Sequence, residues 1–379
     1  MAGESLQTIF NALSQFYDPL LMRQWNRTTM LLGALNATAA KPSEGGGRNV
    51  AFDVEFTGAT AQTVSEGSDV ASSEFNQDVD EPAYFSWATY RSSFQVTEVE
   101  VDAARRSVGT PDALMDLFGT RILSAGAIIA SQIENDALTG TGVDANGNPT
   151  LIGIYGGAIS ATGAYGGLNP ATWSEWAGNL LANGGTNRAL TPDLLEQADA
   201  NIFTASSLPW NMIMTSAGVT RKWSNVFTQG AASSAGQQSY QVPLVRTNDT
   251  NAYSLGRPNG DVMGLQMQQS GLAFKGQPVL RNRLNPSGKL AMLNTDTIKI
   301  KYLPRTFRQA DIDFMQMMGI EGSSGAGAPG ASVQATGIPM RIAVLAKTGD
   351  SYKITCRVTL AMAVTRRNAN AILQDISET

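Results

Sequence analysis

The sequence predicts an α+β chain, and three observations carry that prediction. There is an uninterrupted helical pattern in mid-chain, an extended two-limbed stretch before it, and short helices and strands mixed after it. The helical pattern runs from Thr110 to Gly140. Thr110, Pro111 and Asp112 make a start signal: a hydroxyl to cap free amides, a proline at the first helical position, and a carboxylate in the positive first turn. Leu114, Phe118, Ile122, Ala125, Ile129 and Ile133 recur at spacings of three and four, and Gly140 is placed to end the helix. A helix over 111–139 would be about 40 Å long, a spine by the standard of soluble domains. Its small residues, Ser124 to Ala127 with Ala130 and Ser131, suggest where another segment packs closely.

In chain order, residues 1–47 read as an arm. Leu6, Ile9, Phe10, Leu13, Phe16, Leu20 and Leu21 give a short amphipathic helix, broken at Asp18–Pro19. The pattern fits packing on the same subunit and a strap onto a neighbour equally well; Phe10 and Phe16 are the candidate contacts in the second case. Lys41 to Gly47 is a flexible joint. The extended segment, 48–102, follows. Val50, Phe52, Val54 and Phe56 alternate with polar residues as a half-buried strand. The return limb, Ala83 to Asp102, changes apolar phase between Val96 and Val99, which predicts a bulge or bend there.

Between the limbs, 57–83 carries Glu66, Asp69, Glu74, Asp78, Asp80 and Glu81 without one Lys or Arg, whereas the whole chain has a formal charge of −5. A hairpin this long is not stable alone in water. We therefore read the acidic tip as lying on a basic patch of an adjacent subunit, with a solvated tip as the alternative. Arg105, Arg106, Arg121, Arg221, Lys222, Arg366 and Arg367 are basic points that could meet the tip or phosphates; none is interleaved with aromatics as a base-stacking platform.

Behind the spine, Asp144 to Asn148 resembles the start of a calcium loop, but the twelfth position is Tyr155, not Glu, and a turn on Asn146–Gly147 is expected. Thr172 with Glu175 suggests a capping box, starting a helix with Trp173, Trp176, Leu180 and Leu181 on one face and Asn183–Gly184–Gly185 at its end. Thr191–Pro192–Asp193 starts another helix, with Leu194, Leu195, Ala198 and Ile202 facing a core. Trp210 to Met214 reads as a buried strand, after which Thr215 or Ser216 caps a helix bearing Val219, Trp223 and Phe227. Loops and short strands fill 230–286. Thr297 to Leu303 alternates as a strand, 306–318 is ambiguous, and 322–330 is a Gly-rich loop. Met340 to Ala346 and Tyr352 to Val364 are two strands joined at Gly349–Asp350.

Composition narrows the chemistry. The 379 residues are 42% hydrophobic, enough for a sizeable core, but only 16% charged against about 25% in typical soluble domains. Such a neutral surface suggests cover by partners. There is no His, which removes the commonest general base and metal ligand. The single Cys356 sits in a strand-like run and reads as a small buried apolar residue, so no intrachain disulfide, thiolate zinc site or Cys–His pair is expected. The glycine-rich stretches lack the Lys and Ser/Thr of a phosphate loop, and a Ser–His–Asp triad is excluded. The expectation is a structural building block with no catalytic residues, no metal and no cofactor. No basic segment with a following apolar stretch opens the chain, and no apolar run approaches the roughly 18 residues of a membrane span; we expect no membrane partner and a cytoplasm-like compartment.

Asn183 to Ser206 (NGGTNRALTPDLLEQADANIFTAS), Asn211 to Trp223 (NMIMTSAGVTRKW) and the ending Thr359 to Leu373 (TLAMAVTRRNANAIL) resemble tailed-bacteriophage major capsid proteins of the HK97 fold. The order of elements agrees over nearly the whole chain. The resemblance implies an N-terminal arm at 1–47, an E-loop hairpin at 48–102 and a P domain at 103–190 holding the spine. It further implies an A domain at 191–330 and late strands, 331–379, returning to the P and A domains. It implies self-assembly as pentamers and hexamers into an icosahedral virion shell around double-stranded DNA, touched without sequence preference. A scaffolding protein, a portal and a cement or decoration protein are implied as partners, with assembly in the host bacterial cytoplasm. Some members cross-link an E-loop Lys to Asn, but 48–102 holds no Lys, so no such bond is expected. An encapsulin-like nanocompartment around cargo enzymes is the alternative, and an adhesive or tail-tube protein a third class.

Overall fold

The computed structural model describes residues 30–38, 47–57, 79–100, 112–229, 269–275, 277–303, 333–335, 338–345 and 350–378. The arm helix expected at 6–21, most of the joint, the acidic tip from 58 to 78 and the loops at 306–318 and 322–330 lie outside them.

Helix α1 (Met30–Thr38) buries Leu31, Leu32, Ala34 and Leu35 against the rest of the chain. Strands β1 (Asn49–Thr57) and β2 (Val79–Ser86) are the limbs of the expected hairpin, antiparallel, with Phe52 opposite Ala83 and Glu55 opposite Asp80. Strand β3 (Ala88–Thr97) continues the return limb but pairs elsewhere. The bend therefore lies at Trp87, not at 96–99. The buried set switches there from Ala83 and Phe85 to Ala88 and Tyr90, because the chain exchanges one partner strand for another. The Trp87 indole donates to the Gly47 carbonyl at 2.9 Å and pins the junction. Farther on, the phase change at Val99 marks the end of β3, where Thr97 and Glu100 cap each other's amides reciprocally.

The spine, α2 (Asp112–Thr139), is 28 residues long, close to the expected span. Ile122, Ala125, Ile129 and Ile133 are buried as the period requires, and so are Ala127 and Ala130 of the small-residue patch. It stops at Gly140, where a methyl group would run into the Leu151 carbonyl oxygen. A small hairpin follows, β4 (Thr141–Val143) and β5 (Pro149–Ile152). Its turn is the expected one on Asn146–Gly147, with the Asp144 carboxylate accepting from the Asn146 and Asn148 amides at 2.8 Å each.

The helix expected from Thr172 does not form. Ser174–Trp176 is one tight turn, and β6 (Asn179–Leu181) is a strand. Long-range bonds outcompete the local pattern: the Trp176 indole donates to the Tyr165 carbonyl, the Trp176 carbonyl accepts from Arg367, and the Gly178 amide donates to Ser160. Asn183–Gly184–Gly185 thus ends a strand, its amides held by the Asp375 carboxylate.

Helix α3 (Pro192–Ser206) starts as expected, the Thr191 hydroxyl accepting from the Leu194 amide, with Leu194, Leu195, Ala198 and Ile202 buried. Strand β7 (Met212–Thr215) is wholly buried, and Ser216, rather than Thr215, caps α4 (Ala217–Gln229) through the Val219 amide. The remaining strands are β8 (Gln269–Phe274), β9 (Gln277–Arg281), β10 (Leu290–Leu293), β11 (Ile298–Tyr302), β12 (Val333–Ala335), β13 (Ile338–Val344), β14 (Ser351–Val364) and β15 (Ala371–Leu373).

These strands form two larger sheets. The first runs β11-β14-β13-β12, with β3 on the other edge of β14, and packs on the spine. The second is mixed, in the order β6-β15-β10-β7-β9-β8. Leu195, Ile202, Val219 and Trp223 of α3 and α4 share its second core with Ile213 and Leu290. The late strands serve both sheets, β14 the first and β15 the second. Two elements cross the sequence-based divisions at 190 and 330: β6 joins the second sheet, and β11 pairs with β14 in the first. In both cases the partner strand, not local sequence, decides the sheet.

Candidate assembly surfaces

The hairpin has two unlike faces. Inward, Phe52 stacks on Phe85 at 5.3 Å between ring centres, Phe56 on Trp173 at 4.6 Å, and Phe85 lies 4.7 Å from Tyr165. The Tyr84 amide donates to the Gly166 carbonyl at 2.9 Å. These contacts dock the base of the hairpin on its own subunit; aromatic pairs of this kind contribute on the order of 1 kcal/mol each beyond burial. Outward, Ala51, Asp53, Glu55, Asp80 and Tyr84 are exposed.

The first sheet also has two faces. Ile354, Cys356, Val358, Leu360 and Met362 of β14 turn into the main core. On the opposite face the registered pairs are Thr89 with Thr359, Arg91 with Arg357, Ser93 with Thr355 and Gln95 with Lys353. The two hydroxyl pairs bond across the strands at 3.1 and 3.2 Å.

Two buried polar groups hold the subunit together. Glu134 on the spine is fully buried; its carboxylate accepts from the Leu31 and Leu32 amides of α1 at 2.7 and 2.9 Å, and from the Asn282 side chain at 2.7 Å. A spine carboxylate thus caps the positive end of α1. Arg367, 1% exposed, donates to the carbonyls of Gly157, Ala158, Ser160 and Trp176 and lies over the Tyr165 and Trp176 rings. Burial pushes its pKa down to about 10, countered by Tyr165. Arg367 is therefore an internal strut, not the surface cation expected from the Arg366–Arg367 pair.

Of the candidate contact residues, Glu66, Asp69, Glu74, Asp78, Arg105, Arg106, Phe10 and Phe16 lie outside the described residues. Asp80 is exposed and Glu81 half-buried on β2. Arg221 and Lys222 sit on α4, exposed and half-buried. The Arg221 guanidinium donates to the Glu378 carbonyl at 2.6 Å, so it holds the chain end. The Glu378 carboxylate accepts from Ser216, from Ser287 at 2.8 Å and from the Gly288 amide at 2.8 Å. Arg121 bonds Gln95 and pairs with Glu100 at 2.7 Å, tying the spine to the end of β3. Glu134 was missed in the sequence because its partners lie 102 to 148 residues away; the available signal was one acid on an otherwise small and apolar face.

Two grooves flank these surfaces. One, of 680 Å³, lies between β3, the end of the spine and the β4–β5 hairpin. Of its two carboxylates, Asp136 is engaged by the Tyr90 hydroxyl at 2.8 Å and Gln132 at 2.9 Å, and Asp144 by Asn146 and Asn148. Burial and the Asp136 carboxylate push the Tyr90 phenol far up, so it stays a neutral donor. The other groove, of 490 Å³, separates β1 from Ser206 and Arg366. Among the described residues, no group of three His, Cys, Asp or Glu side chains converges to hold a metal, and no helix is long and apolar enough to cross a membrane. What the arrangement offers is contact area and charge.

The family model of the SU10 major capsid protein matches residues 59–313. Among solved structures, the chain resembles the cyanophage A-1(L) capsid asymmetric unit, with a TM-score of 0.68 at 19% identity over 97% of this chain and 98% of that one. The capsid of the native GTA particle gives 0.54 at 13% identity over the whole of both chains. The holo-SrpI encapsulin complex from Synechococcus elongatus PCC 7942 gives 0.51 at 11%, over 98% and 96%. At these identities the likeness is one of fold. No curated protein matches the sequence.

Proposed function

The chain belongs to the SU10 major capsid protein family, and from that premise we propose that its copies close as pentamers and hexamers into an icosahedral shell around phage double-stranded DNA. It is a phage major capsid protein with an HK97-like capsid fold, a structural component of the virion. The family match over 59–313 carries the reading. Within it, 1–47 act as the N-arm, 48–102 as the E-loop, 103–190 as the P domain, 191–330 as the A domain, and 331–379 as the strands that return to both. The fold likeness to the encapsulin complex is weaker than that to the cyanophage capsid, 0.51 against 0.68, and the phage reading is preferred.

The shell subunit performs no catalysis and needs no cofactor; its work is adhesion. A scaffolding protein, a portal, a cement or decoration protein and non-specifically bound DNA complete the particle, which assembles in the host cytoplasm. The acids of 57–83 contact cations of a neighbour, and Phe10 and Phe16 strap the arm. With no Lys in 48–102, subunits are held without Lys–Asn bonds. Boiling purified shells in SDS should release monomers alone; covalent ladders would contradict this. Sedimentation of the purified protein at rising concentration tests the main proposal. A sharp, very large species should appear above a threshold concentration, whereas a monomer at every concentration would refute assembly.

A further inference from the structure

We infer that Asn183 is a spontaneous deamidation site of this protein, and that its conversion to aspartate or isoaspartate unfastens the chain end. The chemistry belongs to the single chain and does not depend on assembly into a shell.

The sequence holds three Asn–Gly steps, at Asn146, Asn183 and Asn259, of which the last lies outside the described residues. In such a step the glycine backbone nitrogen, once it has given its proton to hydroxide, attacks Cγ of the asparagine side chain. The new N–C bond closes a succinimide ring, the carboxamide C–N bond breaks, and its nitrogen takes a proton from water and leaves as ammonia. A second water opens the ring, either to aspartate or, with the backbone rerouted through the side chain, to isoaspartate. Glycine has no Cβ to obstruct the attack. What separates the two described steps is therefore the state of the nucleophile.

At Asn146 the nucleophile is occupied. The Gly147 amide donates to the Asp144 carbonyl at 3.0 Å, and the Asp144 carboxylate holds the Asn146 amide at 2.8 Å. At Asn183 it is free. The Asn183 and Gly185 amides on either side donate to one Asp375 oxygen at 2.7 and 3.1 Å, and the Thr186 amide closes the turn on the Asn183 carbonyl at 3.1 Å. The Gly184 amide between them has no partner among the described residues; the residue is exposed, and nothing lies within 4 Å of where its Cβ would stand. The Asn183 side chain is tethered through Nδ2, which donates to the Thr186 carbonyl at 2.7 Å in an exposed bond that water can replace. The Asp375 charge opposes an amide anion nearby, but Arg188 and Lys289 offset it.

This turn is also where the chain end is fastened. Besides the Asp375 carboxylate, the Arg188 amide donates to the Asp375 carbonyl at 2.7 Å and the Ser377 amide to the Arg188 carbonyl at 2.8 Å. Deamidation removes the Nδ2 donor and sets a second carboxylate beside Asp375. Isoaspartate further adds a backbone carbon between the two amides that share the Asp375 oxygen, so both cannot keep their places on it.

The test uses the full chain, kept folded in mildly alkaline buffer and sampled over days by peptide mass spectrometry with chromatography that resolves isoaspartate. Asn183 should convert about fivefold faster than Asn146, the difference that one hydrogen bond on the nucleophile makes. In denaturant the two should convert at similar rates. Aged protein should lose its last residues to protease sooner than fresh protein, whereas N183Q should show no such change between fresh and aged samples. Protection of Cys356 from alkylation reports that the aged chain is still folded. An intact Asn183, or an Asn146 that converts as fast in the folded chain, would overturn the inference. So would a tail equally resistant in aged and fresh protein, or one cleaved only in step with loss of Cys356 protection.

Discussion

Glu134 shows how a single residue ties distant parts of this chain. It is fully buried, and three amide donors from two other segments meet its oxygens. Removing the carboxylate leaves those donors unpaired in the interior, at about 1–3 kcal/mol each before relaxation. Glu134→Ala should therefore lower stability by about 3 kcal/mol or more in denaturant titration. It should also speed hydrogen exchange at Leu31 and Leu32 ahead of the spine amides. Unchanged exchange there would show that α1 is held by apolar packing alone. Cys356 offers a second check at this scale. Burial pushes its thiol up to about 12, so alkylation at pH 8 should be negligible until the first sheet opens. Rapid labelling of the folded protein would place Cys356 outside the core.

At the scale of elements, those with strong internal periodicity were legible in the sequence, and those decided by distant partners were not. The spine and α3 carry their own start signals and buried faces, and both form where expected. The segment at 172–181 carries a start signal too, but the Arg367, Tyr165 and Ser160 contacts draw it into a turn and a strand. The bend at Trp87 was hidden for the same reason: 79–97 is one β-prone run, and only its exchange of partners breaks it.

The end of the spine is a backbone crossing. Gly140→Ala should cost about 2 kcal/mol or more, read as a lowered denaturant midpoint, because a methyl group there meets carbonyl oxygens of Leu151 and Asp136. The chain end makes a pH-dependent element. Burial alone would raise the Glu378 pKa, but the Ser216, Gly288 and Ser287 donors and the Arg221 charge hold it below 4.5. The Asn183 and Gly185 amides likewise hold Asp375 below 3.8. Folded values below unfolded ones mean stabilisation that is fully present above those ordinary values and lost as pH falls through the folded ones. Proteolysis of the tail should therefore rise in acid below 4.5 and stay flat from pH 5 to 8. A rise that began at neutral pH would show that these carboxylates do not secure it.

For the whole molecule, one sheet packed on a long helix, a second sheet with its own helices and a hairpin docked on the body make a capsid subunit. The low charge content and the absence of His gave that direction before any geometry. What composition could not give was which faces meet, because surface pairing depends on register. One residue of slip in β3 would turn Arg91 into the core and Tyr90 outward. The acidic tip belongs to this scale too. Neutralising Asp78, Asp80 and Glu81 together should weaken assembled shells while leaving the subunit folded, measured as earlier dissociation in rising denaturant; unchanged shell stability would remove the tip from the contact. The most direct test of the central claim is electron microscopy of the purified, concentrated protein. Closed particles tens of nanometres across, built of fivefold and sixfold clusters, are the expected result. A monomer under every condition, or open tubes and fibres, would contradict it.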